Sequence, residues 1–333
     1  MWFWLLPAWH ICLCAWVDVE HKMSKKAVIE TKELVKTYGK FIAVDKLNLR
    51  VDEGEVFGFL GPNGAGKTTT LLMLLGLTEP TSGTASVCGF DSTREPVEVK
   101  RIAGYLPEKV GFYDDLTAIE NLDYTAALNG IPREIASKRI DELLSMVGLS
   151  EVARHKVGTL SHGMKQRLGI ADVMIKDPKV ALFDEPTAGI DPEGIEQVLE
   201  LIANMAKRKV TIVLSSHQLH HVQKICTRVG ILSKGNLVAE GSVEELGREK
   251  IGGGKLRIEI QVAEPTGKLV KLIKNIKGVT SVDSSGDLLL ISCDKDLRRQ
   301  IAKVAADCDS LIVQMKIEEY GLDDIYMKYF RES

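Results

Sequence analysis

The sequence predicts an α/β protein with a core built on a phosphate-binding loop, followed by a smaller α+β unit. Three observations carry this. First, Gly61-Pro62-Asn63-Gly64-Ala65-Gly66-Lys67-Thr68 fills every position of a phosphate-binding loop. It lies between the apolar run Val56 to Leu60 and a helical pattern from Thr69 to Leu75, the strand-loop-helix setting the motif requires. Second, short β-branched runs alternate with helical patterns from Val28 to about Glu240. Third, the periodicity restarts beyond Gly252-Gly253-Gly254, a plausible hinge, in the order β-α-β-β-α-β of a ferredoxin-like unit.

Each element has a reason. Ile29 to Val35 and Ile42 to Val51 read as early strands, and Thr84 to Val87 and Ile102 to Leu106 as later ones. Val180 to Phe183 and Thr211 to Leu214 are continuous apolar runs of buried-strand length. A helical insert runs from about Thr117 to Ile175, where Ile140, Leu143, Leu144 and Val147 share one helix face. In the tail, Leu256, Ile258, Ile260 and Val262 alternate as a half-buried strand does. Leu269, Leu272, Ile273 and Ile276 mark a helix, and Leu297, Ile301, Val304, Ala305 and Cys308 a second. Val279 to Val282, Leu288 to Ile291 and Leu311 to Ile317 supply the remaining strands. No catalytic constellation falls in this tail, which reads as an interaction or regulatory domain.

The chain has 333 residues, enough for roughly two domains of 100–200 residues each. Its charged fraction of 27% and hydrophobic fraction of 45% describe an ordinary globular protein. A net charge of −3 gives no basic excess, which argues against a nucleic-acid partner. Of six cysteines only Cys12 and Cys14 are close in sequence, so a reducing compartment fits better than a disulfide framework. All four tryptophans lie in the first sixteen residues. The apolar run from Trp2 to Val17 is shorter than the ~20 residues of a membrane span. It also lacks the basic flank of a secretory signal. Residues 1–22 therefore read as a Trp-rich extension outside the fold, with Met23 as the start. A membrane-surface anchor and a Cys12/Cys14 metal site with His10 or His21 are the alternatives. No transmembrane segment is visible elsewhere, so a membrane function has to be shared with another polypeptide.

The chemistry begins at Lys67. Glycines let backbone N–H groups wrap a phosphate chain, and the following helix turns its positive end toward the anion. Lys67 reaches the β- and γ-phosphates, and the Thr68 hydroxyl is placed for Mg²⁺. Val180 to Phe183 runs into Asp184-Glu185, which puts two carboxylates at the C-terminal edge of a strand. Asp184 suits a direct or outer Mg²⁺ role, and Glu185 can take a proton from attacking water. A strand capped by solvated acids is the bland alternative.

Leu160-Ser161-His162-Gly163-Met164-Lys165-Gln166-Arg167 resembles the signature sequence of the nucleotide-binding subunit of ABC transporters. The resemblance spans Val28 to Leu246 and implies a P-loop NTPase core over 27–247, with an ABC-type helical subdomain at about 110–176. It makes 255–331 a C-terminal accessory domain like that of drug- and lipid-export subunits. It assigns adenine stacking to Tyr38, and it places ATP on Gly61, Pro62, Asn63, Gly64, Ala65, Gly66, Lys67, Thr68 and Thr69. Ser161 and Gly163 reach the γ-phosphate of a second copy, or of a paralogous ATPase subunit, in a head-to-tail dimer. Glu185, His217 and Lys67 are the catalytic residues it implies; Thr68, Asp184 and Glu108 are the metal ligands. Thr187 to Asp191 matches the dimer-contacting loop, and Lys109 to Leu122 the stretch that receives a helix of a multi-span permease. Three positions depart from the pattern: Glu108 stands for a glutamine, His162 for a glycine and Met164 for a glutamine.

The expected function is ATP hydrolysis driving a separate permease, with export favoured, at the cytoplasmic face of the membrane. An ATPase acting on ribosomes or DNA and a binding-only module without turnover are the rivals. The acidic balance argues against the first, and intact Lys67, Asp184, Glu185 and His217 against the second.

Overall fold

The computed structural model describes residues 26–250, 256–263, 267–317 and Tyr326. The Trp-rich extension and the Gly252–Gly254 hinge lie outside the described residues. Two long strands open the chain, β1 (Ala27–Tyr38) and β2 (Phe41–Asp52), followed by β3 (Val56–Leu60) and helix α1 (Lys67–Leu74). Then come β4 (Ser82–Val87), β5 (Phe90–Asp91), α2 (Pro96–Ile102) and β6 (Ala103–Leu106). The helical insert comprises α3 (Ala118–Leu128), α4 (Arg133–Met146), two 3₁₀ turns and α5 (His162–Met174). The core closes with β7 (Val180–Asp184), α6 (Pro192–Lys207), β8 (Thr211–Ser216), α7 (Leu219–Ile225), β9 (Arg228–Ser233), β10 (Asn236–Gly241) and α8 (Val243–Lys250).

The central sheet has the order β10-β9-β3-β8-β7-β6. All its pairings are parallel except β9 with β10. Parallel strands need crossovers, and the crossovers put helices on the faces. Alternation in β3 shows the result: Val56 and Leu60 join a core with the helical insert, α6 and α7, whereas Phe57 and Phe59 face the opposite side. There they pack with α1 and the antiparallel sheet β2-β1-β4-β5. Burial on both faces explains the unbroken apolar runs of β3, β7 and β8.

Sequence periodicity located the strands and helices of the insert but passed over three strands and one prominent helix. The short β5, and the β9–β10 hairpin around Lys234-Gly235, carry weaker patterns than the buried parallel strands. The helix is α6, whose Asp191 caps the N-terminus by accepting from Gly194 N–H and whose Pro192 opens the first turn. The insert is anchored by a capping box at α3: Thr117 Oγ1 accepts from Glu120 N–H, and Glu120 accepts from Thr117 N–H.

Beyond the core, β11 (Leu256–Val262), α9 (Gly267–Lys274), β12 (Val279–Ser285), β13 (Leu288–Cys293), α10 (Arg298–Asp307) and β14 (Ile312–Ile317) follow in the expected order. Their sheet runs β12-β13-β11-β14 with every pairing antiparallel, the arrangement a β-α-β-β-α-β chain gives. Ile258, Ile260, Val262, Leu289 and Ile291 meet Leu269, Ile273 and Ile301 in a core of their own.

One group in the core domain is at odds with its surroundings. Asp172 on α5 is largely buried, and its Oδ1 has no hydrogen-bond partner among the described residues. Burial pushes its carboxyl above the ordinary 3.8, while Thr125 and Lys176 pull the other way. A carboxyl whose folded pKa is raised makes the native state bind more protons than the unfolded chain, so stability falls as pH rises above about 4. Replacing Asp172 by Asn should raise the melting temperature at pH 7.5, and the gain should fade as the pH is lowered toward 4. A melting temperature at pH 7.5 equal to or below that of the parent protein would refute this.

Candidate functional site

Parallel strands present their C-terminal ends at one edge of a sheet, and four adjacent strands do so here. The loop 61–66 follows β3, Asp184 ends β7, His217 follows β8, and Glu108 lies just beyond β6. Register fixes the alignment: Leu60 lies opposite Ser216, and Ser215 opposite Asp184. The separate runs of the sequence thus converge on one place.

The loop wraps tightly because two of its glycines have no room for a side chain. Gly66 has φ of 104°, and a Cβ there would come within 2.4 Å of Ala43 O. A Cβ at Gly61 would come within 2.5 Å of Leu232 O. Lys67 opens α1 and is buried. Its ammonium donates to Gly61 O at 2.8 Å and Pro62 O at 3.3 Å and lies 3.5 Å from Glu185 Oε1.

Glu185 is the hub. It is only 8% exposed, and its φ of 48° is a left-handed conformation that a non-glycine residue adopts at a cost. Ser215 holds it there: Glu185 N–H donates to Ser215 O at 3.2 Å and Ser215 Oγ at 3.0 Å. The Ser215 hydroxyl in turn donates to Asp184 Oδ1 at 2.5 Å. His217 engages Glu185 Oε2 twice, through Nδ1 at 2.9 Å and its backbone N–H at 3.3 Å. Among the described residues Glu185 Oε1 has no hydrogen-bond partner, and it is buried beside the Lys67 ammonium. One carboxylate oxygen is therefore hydrogen-bonded to His217 and the other is ion-paired to Lys67.

A cleft of about 190 Å³ joins these groups, lined by Tyr38, Phe41, Ala43, residues 63–69, Glu108 and Glu185. Tyr38, Asn63, Gly64, Ala65, Gly66, Lys67, Thr68, Thr69, Glu108 and Glu185 of the sequence-derived set thus share one cavity. Gly61, Pro62, Asp184 and His217 join it through the contacts just described. Ser161 and Gly163 do not line it. They sit at the start of α5, where Ser161 Oγ accepts from Met164 N–H, and Gly163 lies against Ile190. Beside them His162 Nε2 is 3.0 Å from Ala188 O, a tie between the signature helix and the loop after Glu185.

Sequence reasoning missed Ser215 and Phe41. The paired serines ending β8 just before His217 were the signal for the first. The two-residue turn Gly39-Lys40, which sets Tyr38 opposite Phe41, was the signal for the second.

Among the described residues no group of three or more His, Cys, Asp or Glu could hold a metal alone. The oxygen donors of Thr68, Glu108 and Asp184 nonetheless fit Mg²⁺, which binds through one or two carboxylates and takes its remaining ligands from water and phosphates.

A parallel sheet whose edge carries a glycine-wrapped lysine, a buried Asp-Glu pair and a following histidine defines a phosphate-loop nucleoside triphosphatase. Comparison with known proteins narrows this. The ABC transporter family profile matches residues 44–188. The bacitracin transport ATP-binding protein BcrA of Bacillus licheniformis is 36% identical over 303 residues, covering 90% of this chain and 96% of that protein. The linearmycin resistance ATP-binding protein LnrL of Bacillus subtilis is 30% identical, covering 90% and 97%. The dimeric post-hydrolysis structure of the ATP-binding cassette MJ0796 bound to ADP and Pi superposes with a TM-score of 0.59 at 28% identity. That match covers 64% of this chain and 98% of that one. The chain belongs to the ATP-binding proteins of ABC transporters, and it binds and hydrolyses ATP.

Gly66→Ala should place a methyl group against Ala43 O in a strained backbone. A loss of at least about 2 kcal/mol is expected in urea unfolding, together with lost ATP binding. An unchanged unfolding midpoint with normal ATP affinity would show that the loop is not as tight as described.

Proposed function

We propose that the chain powers a separate multi-span permease at the cytoplasmic face of the membrane, and that transport runs outward. The class is membrane-associated, and among the described residues no helix is long and apolar enough to cross a bilayer. Outward transport is favoured because one relative is named for linearmycin resistance and another for bacitracin transport. The β-α-β-β-α-β tail is read as an accessory domain over 255–331.

The observation that carries the catalytic reading is the Glu185 carboxylate held between His217 and Lys67 at the phosphate loop. From that position Glu185 takes a proton from water as the water attacks the γ-phosphorus. Lys67, 3.5 Å from Oε1, compensates negative charge on the β- and γ-phosphates. Thr68, Asp184 and Glu108 would hold Mg²⁺, with Asp184 oriented by Ser215, and the ion would supply electrostatic stabilisation of phosphate charge. Tyr38 stacks on adenine. Ser161 and Gly163 serve the nucleotide of a second copy or a paralogous ATPase subunit. The existence of dimeric cassettes of this fold supports that arrangement. Closure follows from population shift: ATP favours the closed dimer through contacts the open form lacks.

Glu185→Gln should leave ATP affinity within a few-fold, reduce phosphate release at least a hundredfold (over about 2.7 kcal/mol in barrier), and trap an ATP-bound dimer by gel filtration. Steady-state phosphate release at the parent rate would remove Glu185 from the reaction.

A further inference from the structure

We propose that the two helices of the β-α-β-β-α-β tail form a basic face that docks on a bilayer surface bearing anionic headgroups. The proposal goes beyond the transport reading and takes from it only that the partner of this chain lies in a membrane. It gives a binding role to a unit that supplies none of the nucleotide-site residues.

Charge on this unit is segregated. Helix α9 carries Lys268, Lys271 and Lys274 and no acidic residue, and α10 carries Arg298, Arg299 and Lys303 against a single acid, Asp307. The whole chain has a net charge of −3, so its composition does not by itself produce six cations against one carboxylate in one layer. The helices lie side by side on one face of the sheet, burying Leu269 and Ile273 of α9 and Ile301 and Ala305 of α10. Residues three and four apart share one side of a helix. With those positions buried, Lys271 and Lys274 take the side of α9 turned away from the sheet, and Arg299 and Lys303 the same side of α10. All four are exposed.

Among the described residues these four cations form no ion pair, whereas Arg298 pairs with Asp296 and Lys316 with Glu259. Glu259 and Asp283 are both register partners of Leu290, which alternates with buried Leu289 and Ile291. These acids therefore fall on the opposite face of the sheet and leave the helical layer uncompensated. Like charges on adjacent helices repel one another, and an anionic surface removes that cost.

The chemistry of the face selects a lipid surface over a nucleic acid. Neither helix carries an aromatic residue, and single strands are held largely by stacking of bases on aromatic rings. Two helices side by side span about 20 Å, wider than the roughly 12 Å major groove that admits one helix. A helix that lies in a membrane interface instead sets apolar residues among its lysines. Here Leu272 is 38% exposed beside Lys271, and exposed Ala302 and Ala306 flank Lys303. The long stems of lysine and arginine carry their charged heads to the phosphate level while the helices stay flat on the surface. Each Lys or Arg near an anionic leaflet tightens binding by about fivefold.

The test uses the full chain in flotation with vesicles of phosphatidylglycerol and phosphatidylcholine in equal parts, and of phosphatidylcholine alone. The parent protein should bind the anionic vesicles at least about a hundredfold more tightly than the neutral ones. That preference should vanish between about 0.1 M and about 1 M salt, as the screening length falls from roughly 10 Å to 3 Å. The pair Lys271→Glu and Lys274→Glu, and separately Arg299→Glu and Lys303→Glu, should each weaken binding at least about twentyfold. Lys271→Gln with Lys274→Gln, which neutralises without adding acid, should give a smaller loss in the same direction. The pair Lys207→Glu and Arg208→Glu makes the same charge change at exposed positions at the end of α6 and should leave binding within about threefold of the parent. Equal binding to neutral vesicles, an equal loss in the α6 pair, or tail variants that bind as the parent does would overturn the proposal. Tighter binding to a duplex oligonucleotide than to anionic vesicles, weakened by the same tail variants, would assign the face to nucleic acid and overturn it as well. Phosphate release from ATP, measured alongside, should stay at the parent rate in every variant. Its absence in the parent protein would count against the nucleotide-site reading and leave the vesicle result standing.

Discussion

The arrangement depends on a carboxylate held where it is expensive to hold one. Glu185 is buried, its backbone is left-handed, and it faces the equally buried ammonium of Lys67. Strain of this kind costs about 1–3 kcal/mol. A buried ion pair at best roughly offsets its own desolvation. Neither feature earns its place as stabilisation. Both persist because the parallel sheet over-determines them: β8 supplies Ser215 to hold the Glu185 backbone and His217 to hold its side chain, while β3 supplies the loop that fixes Lys67. A site that pays for its geometry in strain, and recovers the cost from a core buried on both faces, is preorganised for charge that appears only during reaction.

Ser215 shows how the neighbouring strands cooperate. Its hydroxyl accepts from Glu185 N–H and donates to Asp184 Oδ1, and its carbonyl takes the same Glu185 N–H. A single side chain on β8 thus orients both acids of β7. Alanine at this position would keep the strand and its register but release the hydroxyl links to both carboxylates.

Much of this could be read before any coordinates. The phosphate loop is legible because its glycines are dictated by close approach, and that requirement leaves a fixed spacing. The buried strands are legible because burial on both faces erases polar residues. The tail is legible because one-sided burial leaves alternation in β11 and β13. What escaped was whatever depends on pairing across the sheet. Ser215 means nothing until β8 lies beside β7, and Phe41 is an ordinary strand residue until a two-residue turn sets it against Tyr38. The helix α6 is also legible in principle, because Ile195, Val198, Leu199 and Ile202 segregate to one buried face.

His162 extends the same logic to the edge of the molecule. The resemblance leads one to expect a glycine there, and a glycine at the start of a helix would leave the following turn free to move against its neighbours. The imidazole instead meets Ala188 O at 3.0 Å, while Gly163 packs on Ile190 and Asp191 caps α6. Ala188 N–H in turn donates to Glu185 O. A short chain of contacts therefore runs from the start of α5, through the loop 187–191, to the backbone of Glu185.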